Sequence, residues 1–198
     1  NIFRVCAPDL YYRPASRKNE PMHILFVGFG ALVREMILQT ALTAHYTDFR
    51  LPHVTVLCTA AEADRIERFR HRYPHLDETV EMNVVSADPM TITPERWHEM
   101  QLTTHFKISY VALEKDVESI LTARRLNRLR RLSELPPLNF VVCLNQQNFL
   151  AEIIDDDFIP ISMDKISLPD HEPIEYFESL DETISIDVIV NEALDAMA

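Results

Sequence analysis

Short apolar runs alternate with amphipathic helical patterns between residues 23 and 161, and this alternation restricts the possible folds more than any other feature. The runs are rich in valine, isoleucine and leucine, as is typical of strands that are buried on both faces. Alternating strands and helices predict βαβ units, whose right-handed crossovers build a parallel sheet. We therefore predict an α/β fold: a doubly wound, mainly parallel Rossmann-like sheet of about six strands with helices on both faces.

The element boundaries follow from the apolar periodicity and from prolines that stop helices. The predicted strands are residues 23–27, 54–57, 80–85, 108–113, 140–144 and 158–161. The predicted helices are residues 31–45, 60–72, 94–100, 116–132 and 146–154. Thr93, followed by proline, is the predicted N-cap of the third helix, on which Trp97 is expected to lie in the core or at an interface.

The charge of the chain is concentrated at its C-terminal end. We divide the sequence into a lead-in segment (1–22), a Rossmann-like domain (23–161) and an acidic C-terminal extension (162–198) with helical periodicity over 180–197. The net charge is −12, and residues 152–198 alone hold 14 acidic residues against one basic residue, Lys165. Such a surface repels phosphate backbones and anionic lipid, so we expect no nucleic-acid partner. The longest apolar run has ten residues, fewer than the roughly 18 of a bilayer span, so we expect no direct membrane insertion.

Both glycines of the chain lie in one turn, between the first strand and the first helix. In a dinucleotide-binding fold, a glycine at the place of Gly28 allows the tight turn, and one at the place of Gly30 lets the backbone approach a pyrophosphate. The phosphates then meet the free N–H groups of the helix that follows. The alternative is a purely structural turn.

Two positions depart from the dinucleotide fingerprint. Val33 stands where a third glycine permits close packing of helix and strand, and Cys58 stands where an acid grips the ribose. Losing that charge-assisted hydrogen bond costs about 1.5–3 kcal/mol. Glu62 and Asp64 follow closely, but they are expected inside a helix and directed elsewhere. Cys58 is open to two interpretations: a redox thiol with a lowered pKa, or a small residue that fills space.

Residues 23–30 (HILFVGFG) resemble the first strand and turn of the TrkA-N nucleotide-binding domain, also called RCK or KTN, the regulator of potassium conductance. Further stretches resemble its later strands in order: residues 54–57 (VTVL), 84–88 (VVSAD), 109–113 (SYVAL) with the leucine- and arginine-rich stretch 116–129, and 140–145 (FVVCLN). The resemblance covers about residues 22–161. In the stretch 84–88, Ala87 replaces a glycine that typically precedes the retained acid Asp88.

The resemblance implies a cytoplasmic regulatory module at the inner face of a membrane, as part of a larger protein that is a potassium channel or transporter. It implies a homodimer whose geometry responds to NAD(H) or another adenine nucleotide, and a membrane-embedded pore or transporter part as partner. The positions it implies for the ligand are Gly28, Phe29, Gly30 and Leu32 at the phosphates, Cys58 and Thr59 at the ribose, Asp88 near the adenine, and Leu113 and Glu114 over the pocket floor. It implies no enzymatic activity.

Two other functions remain open. One is a degenerate Rossmann domain that binds no nucleotide and acts as a dimerisation or interaction scaffold. The other is an NAD(P)-dependent oxidoreductase, which needs a substrate domain and an acid–base group, whereas His171 is the only histidine after the last strand. We expect no catalytic residue and no metal site, since Pro74 interrupts the helix between His71 and His75. The cysteines, three in number and widely spaced, fit a reducing compartment.

One basic cluster lies on the long helix predicted for residues 116–132. It consists of Arg124, Arg125, Arg128, Arg130 and Arg131. At helical spacing these side chains spread around most of the helix and form no single stripe. We interpret the cluster as a solvated or partner-facing helix end, with a phosphate-binding role as the alternative.

Overall fold

A computed structural model of the chain describes residues 22–43, 51–103, 106–135, 138–145, 158–162 and Asp195. The strands are β1 (His23–Val27), β2 (His53–Cys58), β3 (Glu81–Ser86), β4 (Ile108–Val111), β5 (Asn139–Leu144) and β6 (Phe158–Ser162). The helices are α1 (Ala31–Thr43), α2 (Ala60–Arg72), α3 (Leu76–Thr79), α4 (Pro94–Thr103) and α5 (Asp116–Leu132). None of these helices combines the length and the apolar character that crossing a bilayer requires.

All six described strands form one parallel sheet in the order β3-β2-β1-β4-β5-β6. This is the order of a doubly wound Rossmann-like sheet, so the predicted fold class is confirmed. The chain reverses its direction of travel across the sheet between β1 and β4, which are paired from Ile24 with Ile108 to Val27 with Val111. The carboxyl ends of these two strands mark the topological switch point, where folds of this kind bind ligands.

Each face of the sheet carries its own apolar layer. On one face α1 and α2 pack through Ile37 and Ile66, both fully buried, against strand residues such as Phe26. On the other face α4 and α5 pack against residues such as Leu25. Trp97 on α4 is 0% exposed, so it belongs to the core and not to an interface with another chain. After their first residues, β1 and β2 are buried at every position, without alternation, because helices cover both faces of the sheet.

The strand and helix boundaries differ from the sequence-based expectation at several places. β4 ends at Val111 and not at residue 113, because the N–H of Leu113 donates to the Ser119 hydroxyl (2.9 Å) instead of joining the ladder. α3 is a single short turn that no periodicity indicated. Thr93 accepts a hydrogen bond from Arg96 N (3.3 Å), which confirms it as the N-cap of α4. Residues 1–21 of the lead-in, the predicted helix 146–154 and the acidic extension beyond Ser162, apart from Asp195, lie outside the described residues.

Candidate functional site

Gly28 follows β1 directly and is glycine because the fold demands it. Its φ of +92° lies in the left-handed region that L residues rarely adopt. A Cβ at this position would lie 2.6 Å from the Ala112 carbonyl oxygen and 2.9 Å from Leu113 Cδ2, at the end of β4. The N–H of Gly28 donates to the Leu57 carbonyl (2.8 Å) at the end of β2. Gly28 therefore contacts the ends of β2 and β4 and joins them to the end of β1.

Gly30 starts the approach to α1 and is not required by the fold. Its φ lies outside the left-handed range, and a Cβ there would meet nothing within 4 Å. The residue is exposed, and its carbonyl accepts the first helical hydrogen bond of α1 from Arg34 N (3.2 Å). An alanine would fit without strain, so neither backbone conformation nor packing explains the second glycine of a chain that has only two.

Glu62 joins the glycine turn to the start of α2, contrary to the expectation that it points elsewhere. Its Oε1 accepts from the N–H of Phe29 (3.0 Å), and its Oε2 accepts from the N–H and the hydroxyl of Thr59 (both 2.9 Å). Thr59 is the N-cap of α2, and the pair forms a capping box. The carboxylate thus lies in the corner between the turn and the end of β2, where a ribose is gripped in dinucleotide-binding folds.

Cys58, at the predicted ribose position, is 0% exposed and offers no atom to a ligand from solvent. Burial, with a smaller contribution from the Glu62 carboxylate, raises the pKa of the Cys58 thiol to about 11. The interpretation as a redox thiol with a lowered pKa is therefore wrong, because burial and the neighbouring carboxylate both disfavour the thiolate. Cys58 fills space in the core below the corner that Glu62 occupies.

The other side chains of the turn point into the protein. Phe29 is 1% exposed and packs edge-on against Phe69 on α2, with ring centroids 5.5 Å apart. Val33, at the third fingerprint position, is 0% exposed within the same core layer, and Leu32 packs against that layer from its edge. The backbone at Gly30 is therefore the part of the turn that is most open to a ligand.

On the β4 side, Leu113 and Glu114 form the loop that leads into α5. Leu113 is half-buried over Gly28, and the exposed Glu114 presents its carbonyl oxygen to Asn145 Nδ2 (3.0 Å) at the end of β5. Asn145 also donates its N–H to Asp116 Oδ1 (2.7 Å). These hydrogen bonds connect the loop after β4 to the loop after β5 and fix their positions relative to each other on this side of the switch point.

Asp88 is set apart from these residues. It lies two residues beyond the end of β3, and β3 is the second strand from β1, roughly 10 Å away across the sheet. Its Oδ1 accepts a hydrogen bond from Met90 N (2.9 Å), so its carboxylate is used in a local turn. The structure thus brings the glycine turn, Thr59 and Leu113 together, with Asp88 at the outer rim.

Glu62 is the site residue that the sequence interpretation missed. The signal for it was present, because a threonine followed three residues later by a glutamate, as in Thr59 and Glu62, is the signature of a capping box. A carboxylate offers about four acceptor positions, and three protein donors reach this one, two of them at Oε2. One acceptor position on Oε1 remains for a hydroxyl of a ligand.

Neither the known protein-family models nor the curated proteins give a match to this chain. The geometry of the site therefore indicates what the chain can bind. That geometry is an open glycine at the switch point of a doubly wound sheet, with a carboxylate acceptor beside it. An open backbone and a carboxylate acceptor are the groups that a pyrophosphate and a ribose require, whereas the buried Cys58 offers neither.

Proposed function

We propose that this domain binds an adenine nucleotide, such as NAD(H), at the carboxyl edge between β1 and β4. The phosphates lie over Gly30, and a ribose hydroxyl donates to Glu62 Oε1. One observation carries this proposal: the fold explains Gly28 but leaves Gly30 as a glycine with open space above it. A bare backbone at that point is what close approach of a pyrophosphate requires.

The role of the bound nucleotide is regulatory in this proposal. The domain acts as a cytoplasmic module of a potassium channel or transporter, as the resemblance of its strand and turn sequences implies. The proposal assigns no catalytic residue. A nucleotide regulates such a module only through a difference in affinity between two states, which is typically about 1–3 kcal/mol.

The coupling runs through α5 to a second copy of the domain. Leu113 contacts the glycine turn, and α5 begins three residues later at Asp116. Three large apolar side chains of this helix are exposed on one stripe, Val117 (52%), Leu121 (47%) and Leu132 (69%), and helical spacing places Arg124 and Arg128 on the same stripe between the last two. Exposed apolar residues that align on one helix face favour an interface with another chain. We assign the dimer contact to this stripe.

Thermal unfolding with NAD, NADH, ATP, ADP and AMP tests the proposal in the wild type and in two variants. Stabilisation by a ligand grows as RT ln(1 + [L]/Kd), so Tm must rise with nucleotide concentration in the wild type. Gly30→Ala keeps the Tm of the free protein but loses the response, because its methyl group fills the space for the phosphate. Glu62→Gln weakens the response about tenfold in affinity through loss of a charge-assisted acceptor. Glu67→Gln, an exposed acid on the same helix, is the control and binds as the wild type.

If millimolar nucleotide leaves the wild-type melting curve unchanged, the binding proposal is wrong. Tighter binding by Glu62→Gln would also contradict it, since that result would show the carboxylate competing with the phosphates for the N–H of Phe29.

The second candidate function is a scaffold that binds no nucleotide. The full burial of Cys58 and the use of the Phe29 N–H by Glu62 favour this scaffold. A scaffold dimerises equally with and without nucleotide in analytical ultracentrifugation, and Leu121→Glu abolishes the dimer in either case.

A further inference from the structure

A groove of about 710 Å³ runs between α1 and α2 on the outer surface of the domain. Four arginines line it, Arg34 from α1 and Arg65, Arg68 and Arg72 from α2, whereas Glu35 is the one acidic residue among its described lining residues. The three arginines on α2 are spaced by three and four residues, which places them on one face of the helix. We refer to this feature as the arginine groove.

The arginines of the groove contrast with Arg70, which lies on the same helix but faces β3. Arg70 is partly buried and contacts Glu67 (3.7 Å), Asp77 (3.4 Å) and the Met82 carbonyl (2.7 Å). Arg34, Arg65 and Arg68 have no ion pair with any residue that the structure describes, and all three are exposed. The fold therefore uses Arg70 in ion pairs and leaves Arg34 on α1 and both Arg65 and Arg68 on α2 available.

Clustered guanidinium groups repel one another, so their convergence on one groove opposes folding slightly and calls for a binding role. The floor of the groove is apolar, because the buried rings of Phe29, Phe69 and Tyr73 form a chain with centroid separations of 5.5 and 5.1 Å. A low-dielectric floor strengthens the attraction between the arginines and an anion above it. A cationic groove on a chain with a net charge of −12 is also a local reversal of the overall field.

We propose that the arginine groove binds a soluble, multiply phosphorylated ligand. The planar fork of arginine matches the oxygens of phosphate in a bidentate manner, and several guanidiniums on two helices suit several phosphates. The groove begins beside the glycine turn, because Phe29 and Gly30 are among its lining residues, and it extends along α2 to Arg72, roughly 18 Å from the first residue of that helix. The two sites share Gly30 at one end of the groove, so variants of the arginines and of Gly30 are needed to distinguish anion binding in the groove from nucleotide binding on the turn.

Calorimetric titration with sodium tripolyphosphate on the full chain tests this inference. The wild type binds, and binding weakens when the salt concentration rises, because exposed charges are screened. Arg65→Gln/Arg68→Gln lowers the affinity at least tenfold, whereas Arg96→Gln/Lys115→Gln, two exposed residues outside the groove and outside the arginine cluster of α5, makes the same change in charge and alters it less than twofold. The substituted side chains are exposed, so all variants keep the wild-type circular dichroism and Tm within a few degrees.

Four results would overturn the inference. The first is the absence of tripolyphosphate binding by the wild type, and the second is an equal loss in the Arg96/Lys115 control, which would show a diffuse charge effect. The third is a loss in Gly30→Ala with no loss in the Arg65/Arg68 variant, which would place the anion on the turn. The fourth is tighter binding of an oligoglutamate peptide, or binding only to vesicles that carry a phosphoinositide, because the ligand would then be a protein segment or a membrane.

Discussion

The glycine turn has a closed side and an open side, and they are two residues apart. The closed side consists of Gly28 and the thiol of Cys58, where backbone and side chains from β4 and β2 leave no room. The open side consists of Gly30 and the free face of the Glu62 carboxylate, where no atom lies within 4 Å of the position of an added Cβ. The two glycines of this turn are therefore glycines for different reasons: the fold requires Gly28 and does not require Gly30.

This difference separates what folds the domain from what the domain does. A change on the closed side removes contacts that join three strands, so it is expected to reduce stability. A change at Gly30, on the open side, removes no side-chain contact of the described structure, so it is expected to alter binding and leave stability nearly unchanged. If substitutions on the two sides change the stability equally, this distinction between them is wrong.

Gly28→Ala is expected to have the largest effect. The methyl group forces an L residue into a positive φ and places a carbon 2.6 Å from the Ala112 carbonyl, which together should cost about 3–5 kcal/mol of the free energy of unfolding. Urea denaturation measures this loss. Adding Leu113→Ala removes only the side-chain clash at 2.9 Å, so the double variant recovers part of the stability and never all of it. Full recovery would show that the backbone contact is unimportant.

Cys58 is expected to make stability depend on alkaline pH. Its pKa is raised to about 11 in the folded state, above the roughly 8.5 of an unfolded thiol, so the folded state favours the neutral form. The resulting stabilisation is fully present below pH about 8.5 and is lost as the pH rises through about 11, with a total on the order of 3 kcal/mol. Urea denaturation between pH 8 and 11 should show a steeper loss for the wild type than for Cys58→Ala. Parallel curves would mean that the thiol ionises as easily in the folded state.

Glu62→Ala lies on the border between the two sides and is expected to have an intermediate effect. It removes the capping box of α2 and the acceptor for the N–H of Phe29, a loss of about 2 kcal/mol. Asp64→Ala, an exposed acid on the same helix, is the control and should change stability by less than about 0.5 kcal/mol. Equal effects of the two substitutions would show that the hydrogen bonds of Glu62 to Phe29 and Thr59 contribute no more to stability than the charge of any acid on this helix.

The sequence was sufficient for the fold because the relevant signals are local. Apolar runs such as residues 23–27 predict strands buried on both faces, and the glycines between that run and an amphipathic pattern predict the position of the first turn. The short helix α3 was missed because four residues carry no measurable periodicity. The end of β4 was misplaced because it depends on the hydroxyl of Ser119, six residues further along the chain.

The site was only partly predictable, because its character depends on contacts between distant residues. Whether Gly28 or Gly30 has room above it is decided by Ala112 and Leu113, more than 80 residues away in the sequence. The reach of Glu62 to Phe29 spans 33 positions, and the burial of Cys58 follows from helix packing over β2. Motif positions therefore located the site, whereas the tertiary structure assigned roles to its residues.

Gly30→Ala is expected to have the smallest effect on stability, and for this reason it is the sharpest test of the comparison. Because an alanine Cβ meets no atom within 4 Å and the φ is not left-handed, the variant should unfold within about 1 kcal/mol of the wild type, with a slight gain from the stiffer unfolded chain. Urea denaturation of the protein without nucleotide measures this difference. A loss above about 2 kcal/mol would mean that the open side also holds the fold together, and the failure of this variant to bind nucleotide would then say nothing about the room above Gly30.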